Sequence, residues 1–147
     1  MTIVAPFAEY ACQVPDAFID YNGHMNDAAY AQVLTDANEL FLDALGMSAD
    51  YRNATGCALY TVEMNIRFLR EVSRGDALTA RTLLTSHDNK RIRVGTTIIG
   101  SDEQPVATGD SLYLHVDTAK GGVVNVPPDR AEFLRRVQDA HDAVSDR

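Results

Sequence analysis

The run Asp20-Tyr21-Asn22-Gly23-His24-Met25-Asn26, with Tyr30 just beyond, sets a carboxylate, an amide and an imidazole at alternate positions. In an extended or turning segment, side chains two residues apart can project to one side. A strongly helical pattern begins immediately afterwards, and a helix start aims free N–H groups at whatever lies before it. A base or nucleophile, a donor, a second acid–base group and an oxyanion-binding helix start thus fall within about ten residues, the set that acyl transfer needs. Asp20 is the candidate nucleophile or general base. Asn22 could orient that carboxylate or a water, and His24 could hold the water or meet the carbonyl. The same letters also spell a turn, since Asp and Asn-Gly favour turns with no chemistry implied.

The elements that would position these groups read as follows. Phe7 to Val14 forms a first strand ended by Pro15-Asp16, and the motif follows as a loop. From Asp27 to Leu45, the apolar positions Tyr30, Val33, Leu34, Ala37, Leu40, Phe41, Ala44 and Leu45 recur at three- and four-residue steps, a helix buried along one face. Asn26 or Asp27 can cap it, and Gly46 marks its stop. Met47 to Gly56 reads as irregular. Tyr60, Val62, Met64, Ile66 and Phe68 then alternate with polar residues, giving a strand whose apolar face lies opposite Glu63. Turns at Gly75-Asp76, His87–Lys90 and Asp102–Pro105 lead into strands over 77–86, 91–100 and 106–118, an antiparallel meander. Pro127-Pro128-Asp129, with Glu132 after it, opens a short last helix striped by Phe133, Leu134, Val137 and Val144. A meander with one long apolar helix packs most simply as an α+β domain, a curved sheet of about five strands wrapped around that helix. Its exposed edges predict a homo-oligomer, dimer or tetramer.

At 147 residues, 46% hydrophobic and 23% charged, the chain has the size and composition of one globular domain over 1–147. It shows no apolar run near the ~20 residues of a membrane span and no signal-peptide layout. Cys12 and Cys57 read as reduced thiols, so a cytoplasmic protein without membrane partners is expected. A net charge of −8 argues against a nucleic-acid partner. Between Arg67 and Arg93, however, seven basic residues face three acidic ones. Arg67, Arg70, Lys90, Arg91 and Arg93 are therefore candidates for binding phosphates, the alternative being solvated strand edges. His24, His87, His115 and His141 are scattered, which predicts no metal site. Gly-x-Ser-x-Gly elbows, P-loops and dinucleotide fingerprints are absent from the sequence.

The order of elements resembles the hotdog fold, and the motif resembles two branches of its thioesterases. Asp20, Asn22, His24, Asn26 and Tyr30 match the spacing of plant acyl-carrier-protein thioesterases. Asp20 followed by Gly23 and the helix is similar to the 4-hydroxybenzoyl-CoA thioesterase branch. There a backbone N–H of the first helical turn binds the thioester oxygen, which here implies Asp27 or Asn26. Asp20–Met25, Leu59–Glu63 and Leu114–Asp117 look like betainyl-CoA thioesterases of bacterial carnitine breakdown, while Met64-Asn65 and Phe68 depart from that group. The resemblance implies hydrolysis of a small acyl-CoA at a subunit interface, with no cofactor beyond the CoA of the substrate. It also implies acyl-side roles for Tyr30, Asp36, Tyr60 and Glu63, against core packing for Tyr30, solvated helix surface for Asp36 and a pair with Arg67 for Glu63. A hydratase or dehydratase of the same fold, or a non-catalytic acyl-CoA-binding module, are the rival readings.

Overall fold

The computed structural model describes residues 3–145. Helix α1 (Asp27–Ala44) buries Ala29, Tyr30, Val33, Leu34, Ala37, Asn38, Phe41 and Leu42 on one face. The Asn26 side chain caps its start, accepting the Ala29 N–H at 2.9 Å. Gly46, at φ +73°, ends it: its N–H reaches the Asp43 carbonyl and the Met47 N–H reaches that of Leu42, a Schellman stop that favours glycine.

Strands β1 (Ala11–Gln13), β2 (Cys57–Phe68), β3 (Ala77–His87), β4 (Arg91–Ile99) and β5 (Pro105–Asp117) form one antiparallel sheet in the order β1-β3-β4-β5-β2. Leu78, Ala80 and Leu84 of β3 and Ile92, Val94 and Ile98 of β4 are buried at alternate positions, so one face of the sheet meets α1. A Cβ at Gly109 would lie within 3 Å of the Leu34 side chain, and glycine lets the helix approach β5 there. This is the hotdog arrangement, a sheet curled around one long helix.

Several expectations need correction. β2 and β3 are not a hairpin: β2 pairs with β5, and β3 lies beyond β4. The segment between them, rather than turning directly, bonds the motif loop, with the Met25 N–H on the Val72 carbonyl at 2.7 Å. The first strand is shorter than Phe7–Val14; Phe7 makes only an isolated bridge to Thr82, and Tyr10 packs against the core between them. The stretch taken as irregular holds helix α2 (Ala49–Thr55), which buries Tyr51. The last helix, α3 (Pro128–Ser145), is as long as α1, at 18 residues each. Pro128 is its first residue, so Asp129 lies within the first turn instead of capping it. His141, not Val144, completes its buried stripe.

The face of β2 also differs. A bulge between Thr61 and Glu63 shifts the register against β5. Tyr60 then pairs with Leu114 and Glu63 with Leu112, so both lie on the convex face, while Met64, Ile66 and Phe68 face the helix side. Being an edge strand, β2 leaves Tyr60, Val62, Met64 and Phe68 between 37% and 54% exposed.

Candidate functional site

The loop into α1 is built as a tight turn. Gly23, at φ +81°, sends its N–H to the Asp20 carbonyl at 3.0 Å, and the Asp20 N–H reaches the His24 carbonyl at 2.9 Å. Bridges Ile19–Met25 and His24–Ser73 flank this turn and fasten it to the strand-like segment after β2. The Asp20 Oδ1 accepts the Asn22 N–H at 2.8 Å, which orients a half-buried carboxylate. Its Oδ2 has no partner among the described residues. The turn reading of Asp20-Tyr21-Asn22-Gly23 is thus what this geometry shows. Tyr21, at the tip, is 97% exposed.

The helix start divides its N–H groups unequally. Asn26 donates its backbone N–H to the Phe18 carbonyl at 2.9 Å and its side-chain amide to the same oxygen at 2.8 Å. That removes Asn26 from the oxyanion candidates, because its donor is already used. Ala28 N–H is held by the Asp27 carboxylate at 2.9 Å and Ala29 N–H by Asn26. Among the described residues, only the Asp27 N–H of this first turn is left without an acceptor. It belongs to the first residue at the positive end of an 18-residue helix.

His24 Nε2 lies 3.2 Å from the Glu71 carboxylate. His24, Asp27, Tyr30, Phe68 and Glu71 line one open cleft of about 320 Å³, with Met25 at its floor. Tyr30 is buried in its wall: the hydroxyl donates to the Arg70 carbonyl at 2.8 Å, and the ring meets Phe68 edge to face at 5.1 Å. Burial, and then the Glu71 charge, push the Tyr30 hydroxyl above its ordinary range. Arg70 turns away from the cleft, its guanidinium gripping Asp102 with both forks at 2.7 and 2.8 Å and the carbonyls of Gln104 and Pro105. That fork, followed by the Gln104 N–H, holds the Asp102 carboxyl down at about 2.

The other expected residues are not gathered here: Asp20 and Asn22 lie on the turn before α1 and are not among the residues that line the cleft. Asp36 is on the exposed side of α1, bonded to Gln32 at 2.8 Å. Tyr60 and Glu63 lie on the convex face of β2. The basic candidates do not converge either. Arg70 is beside the β4–β5 turn, whereas Lys90 and Arg91 begin β4, at the opposite end of the sheet. Arg91 is paired with Asp88 and Arg93 with Asp110. Arg67 and Lys90 have no carboxylate partner among the described residues. Sequence reading missed Phe68 and Glu71 as cleft residues. Their signal was a strand end passing from Phe68-Leu69 into charged residues; what hid it was the unforeseen pairing of that segment with the motif loop.

This geometry agrees with what the chain is similar to. Residues 14–135 match the family model described as the thioesterase-like superfamily. Over 123 residues the chain is 44% identical to an L-carnitine dehydrogenase/betainyl-CoA thioesterase of Agrobacterium fabrum, covering 84% of this chain. It spans about a quarter of that relative's length. A betainyl-CoA thioesterase of Pseudomonas aeruginosa is 32% identical over 139 residues, 92% of this chain and 86% of that one. In structure, a Staphylococcus aureus protein solved in complex with CoA superposes with a TM-score of 0.88 at 23% identity, covering 96% of this chain and 89% of that one. A DHNA-CoA thioesterase from the same species gives 0.83 at 15% identity, covering 92% and 93%. With a matched segment that takes in the Asp20 turn, α1 and all of β2 to β5, the chain belongs to the thioesterase-like superfamily.

Proposed function

We propose that this chain hydrolyses small acyl-CoA thioesters, with betainyl-CoA as the foremost candidate because two relatives carry that name. The observation that carries the reading is the unfilled Asp27 N–H at the start of α1, in the cleft that His24 also lines, with Asp20 on the turn just before it. The thioester oxygen is polarised by that N–H and the helix dipole, which bind it more tightly as it gains charge. Asp20 either attacks the carbonyl carbon itself or takes a proton from an attacking water. On the water route the C–S bond breaks, CoA leaves as the thiolate and the water oxygen ends in the free acid. On the direct route expulsion of the CoA thiolate leaves a mixed anhydride with Asp20, which water then hydrolyses to the free acid and the restored carboxylate. His24, which lines the same cleft as the Asp27 N–H, offers a ring nitrogen to that water. Asn22 acts through its backbone N–H on Asp20. Nothing in this scheme calls on a metal or a cofactor other than the CoA of the substrate.

The site is completed by a second copy of the chain, in a dimer or tetramer joined along the open β2 edge, where Tyr60, Val62, Met64 and Phe68 are exposed. Arg67 and Lys90, free of carboxylates, are the remaining candidates for the CoA phosphates, contributed by one copy or the other. The reaction belongs in the cytoplasm, where two thiols such as Cys12 and Cys57 stay free. No helix among the described residues is long and apolar enough to cross a membrane.

A panel of acyl-CoAs assayed by thiol release tests the reading. Asp20→Asn should lose about 10²-fold or more in turnover while the folded protein still binds CoA. Near-normal turnover would move the role to another residue. CoA-dependent thermal stabilisation without thiol release from any thioester would overturn hydrolysis in favour of a binding module.

A further inference from the structure

We propose that Phe68 and Glu71 select a cationic acyl group, holding a quaternary ammonium between an aromatic ring and a carboxylate at the mouth of the cleft. This deepens the acyl-CoA reading above and rests on it. The cleft carries two carboxylates, those of Asp27 and Glu71. Arg70, the one arginine on its rim, is withdrawn: Asp102 takes both forks of the guanidinium and two carbonyls take the rest. His24 Nε2 lies 3.2 Å from the Glu71 carboxylate, and the Glu71 side chain is 77% exposed. CoA already brings several negative charges, so a negatively biased acyl cleft weakens binding unless the acyl end is positive.

The aromatic wall fits the same chemistry. A trimethylammonium group has no N–H to donate, so it is recognised by ring faces and by charge rather than by hydrogen bonds. Tyr30 has spent its hydroxyl on the Arg70 carbonyl, so the Tyr30–Phe68 pair presents a wall that asks for no polar partner. Asp27 faces the cleft beside the N–H that meets the thioester oxygen. An acyl chain with its carbonyl at α1 and one methylene beyond it would direct its end toward Phe68 and Glu71.

The test compares betainyl-CoA with 3,3-dimethylbutanoyl-CoA, in which a tert-butyl group replaces trimethylammonium at nearly the same shape. The wild-type protein should favour the charged substrate by about tenfold or more in kcat/KM, and less so as salt rises. Glu71→Gln should shrink that ratio about tenfold, and Phe68→Leu about threefold. An equal fall for both substrates in Glu71→Gln would mean that Glu71 acts only by holding His24, and would overturn the inference. Unchanged ratios in both variants would overturn it too, with recognition then elsewhere. A wild-type ratio near one, with both thioesters hydrolysed, sinks the selectivity and leaves the hydrolase standing. No turnover of these or of acetyl-CoA removes the hydrolase reading itself.

Discussion

The two edges of the sheet are finished in opposite ways. At the opposite edge from β2, where β1 covers only the start of β3, the chain closes the rest itself: His141 Nδ1 accepts the Leu84 N–H at 2.8 Å, and Gln138 donates to the Leu84 and Thr85 carbonyls. Phe133, Leu134 and Val137 of α3 seal the core behind that strand. At the β2 edge no element of the described chain takes the free backbone groups, and Tyr60, Val62, Met64 and Phe68 stay partly exposed. The cleft opens where this second edge ends, at Phe68 and Glu71. Open backbone groups and exposed apolar side chains thus collect where substrate and a second copy are proposed to bind. The other edge has its backbone covered, while Gln138 Oε1 and His141 Nε2 are left buried without a partner among the described residues. Changes at the open edge should cost activity, and changes at the closed edge should cost stability.

The largest break of this contrast is expected from Val62→Lys combined with Met64→Lys. Lysines along an edge strand block pairing with another strand. The variant should sediment as a monomer and lose about tenfold or more of its activity, since half the site is gone. A wild-type protein that is fully active as a monomer would refute the shared site.

The closed edge is probed through His141, whose ring is stacked on Phe41 and 1% exposed. Burial holds its pKa below the ordinary histidine value, and the nearby Asp142 charge only partly offsets this. The unfolded chain therefore binds a proton that the folded chain refuses. This group's stability is fully present above about pH 6.5 and is lost as pH falls toward the depressed value, by up to about 1.4 kcal/mol per pH unit. His141→Asn keeps an acceptor for the Leu84 N–H but does not titrate. Denaturant melts should show a shallower loss between pH 6.5 and 5 in the variant than in the wild type. Parallel slopes would show that other groups carry the acid sensitivity.

How much of this was legible beforehand follows from the range of each signal. Helix α1 was read to within a residue because its period, its cap at Asn26 and its stop at Gly46 are all local. The Asp20 turn was visible for the same reason. The β2 face was misread because a bulge is decided by pairing with β5, which no alternation within β2 reveals. Strand order failed similarly: Gly75-Asp76 looks like a hairpin turn, yet Val72 and Ser73 are engaged by the motif loop. Asn38 interrupts an apolar stripe because Thr96 donates to it from β4 and it donates to Ser111 of β5. Glu71 escaped notice since its meaning comes from a histidine far off in sequence. The basic zone was counted correctly in the sequence, but strand pairing spread it over both ends of the sheet and gave most of its arginines to carboxylates.

The smallest effect sharpens the charge argument at the open edge. Asp102 and Arg70 are both well exposed, so their pair adds little to stability, and Asp102→Asn should leave the thermal midpoint almost unmoved. Its consequence lies in the cleft. Without the carboxylate, the guanidinium is no longer held against the β4–β5 turn and can swing its charge toward Glu71. The preference for betainyl-CoA over its neutral isostere should then fall about two- to threefold, with the difference fading at high salt. Because Arg70 holds Asp102 at about 2, the clamp is complete above the usual carboxylate range and weakens only as pH drops toward that value. From about pH 5 upward, therefore, the wild-type preference should not vary on account of this pair. An unchanged ratio in Asp102→Asn would mean that Arg70 stays turned away without its partner, leaving Phe68 and Glu71 to set the selectivity alone.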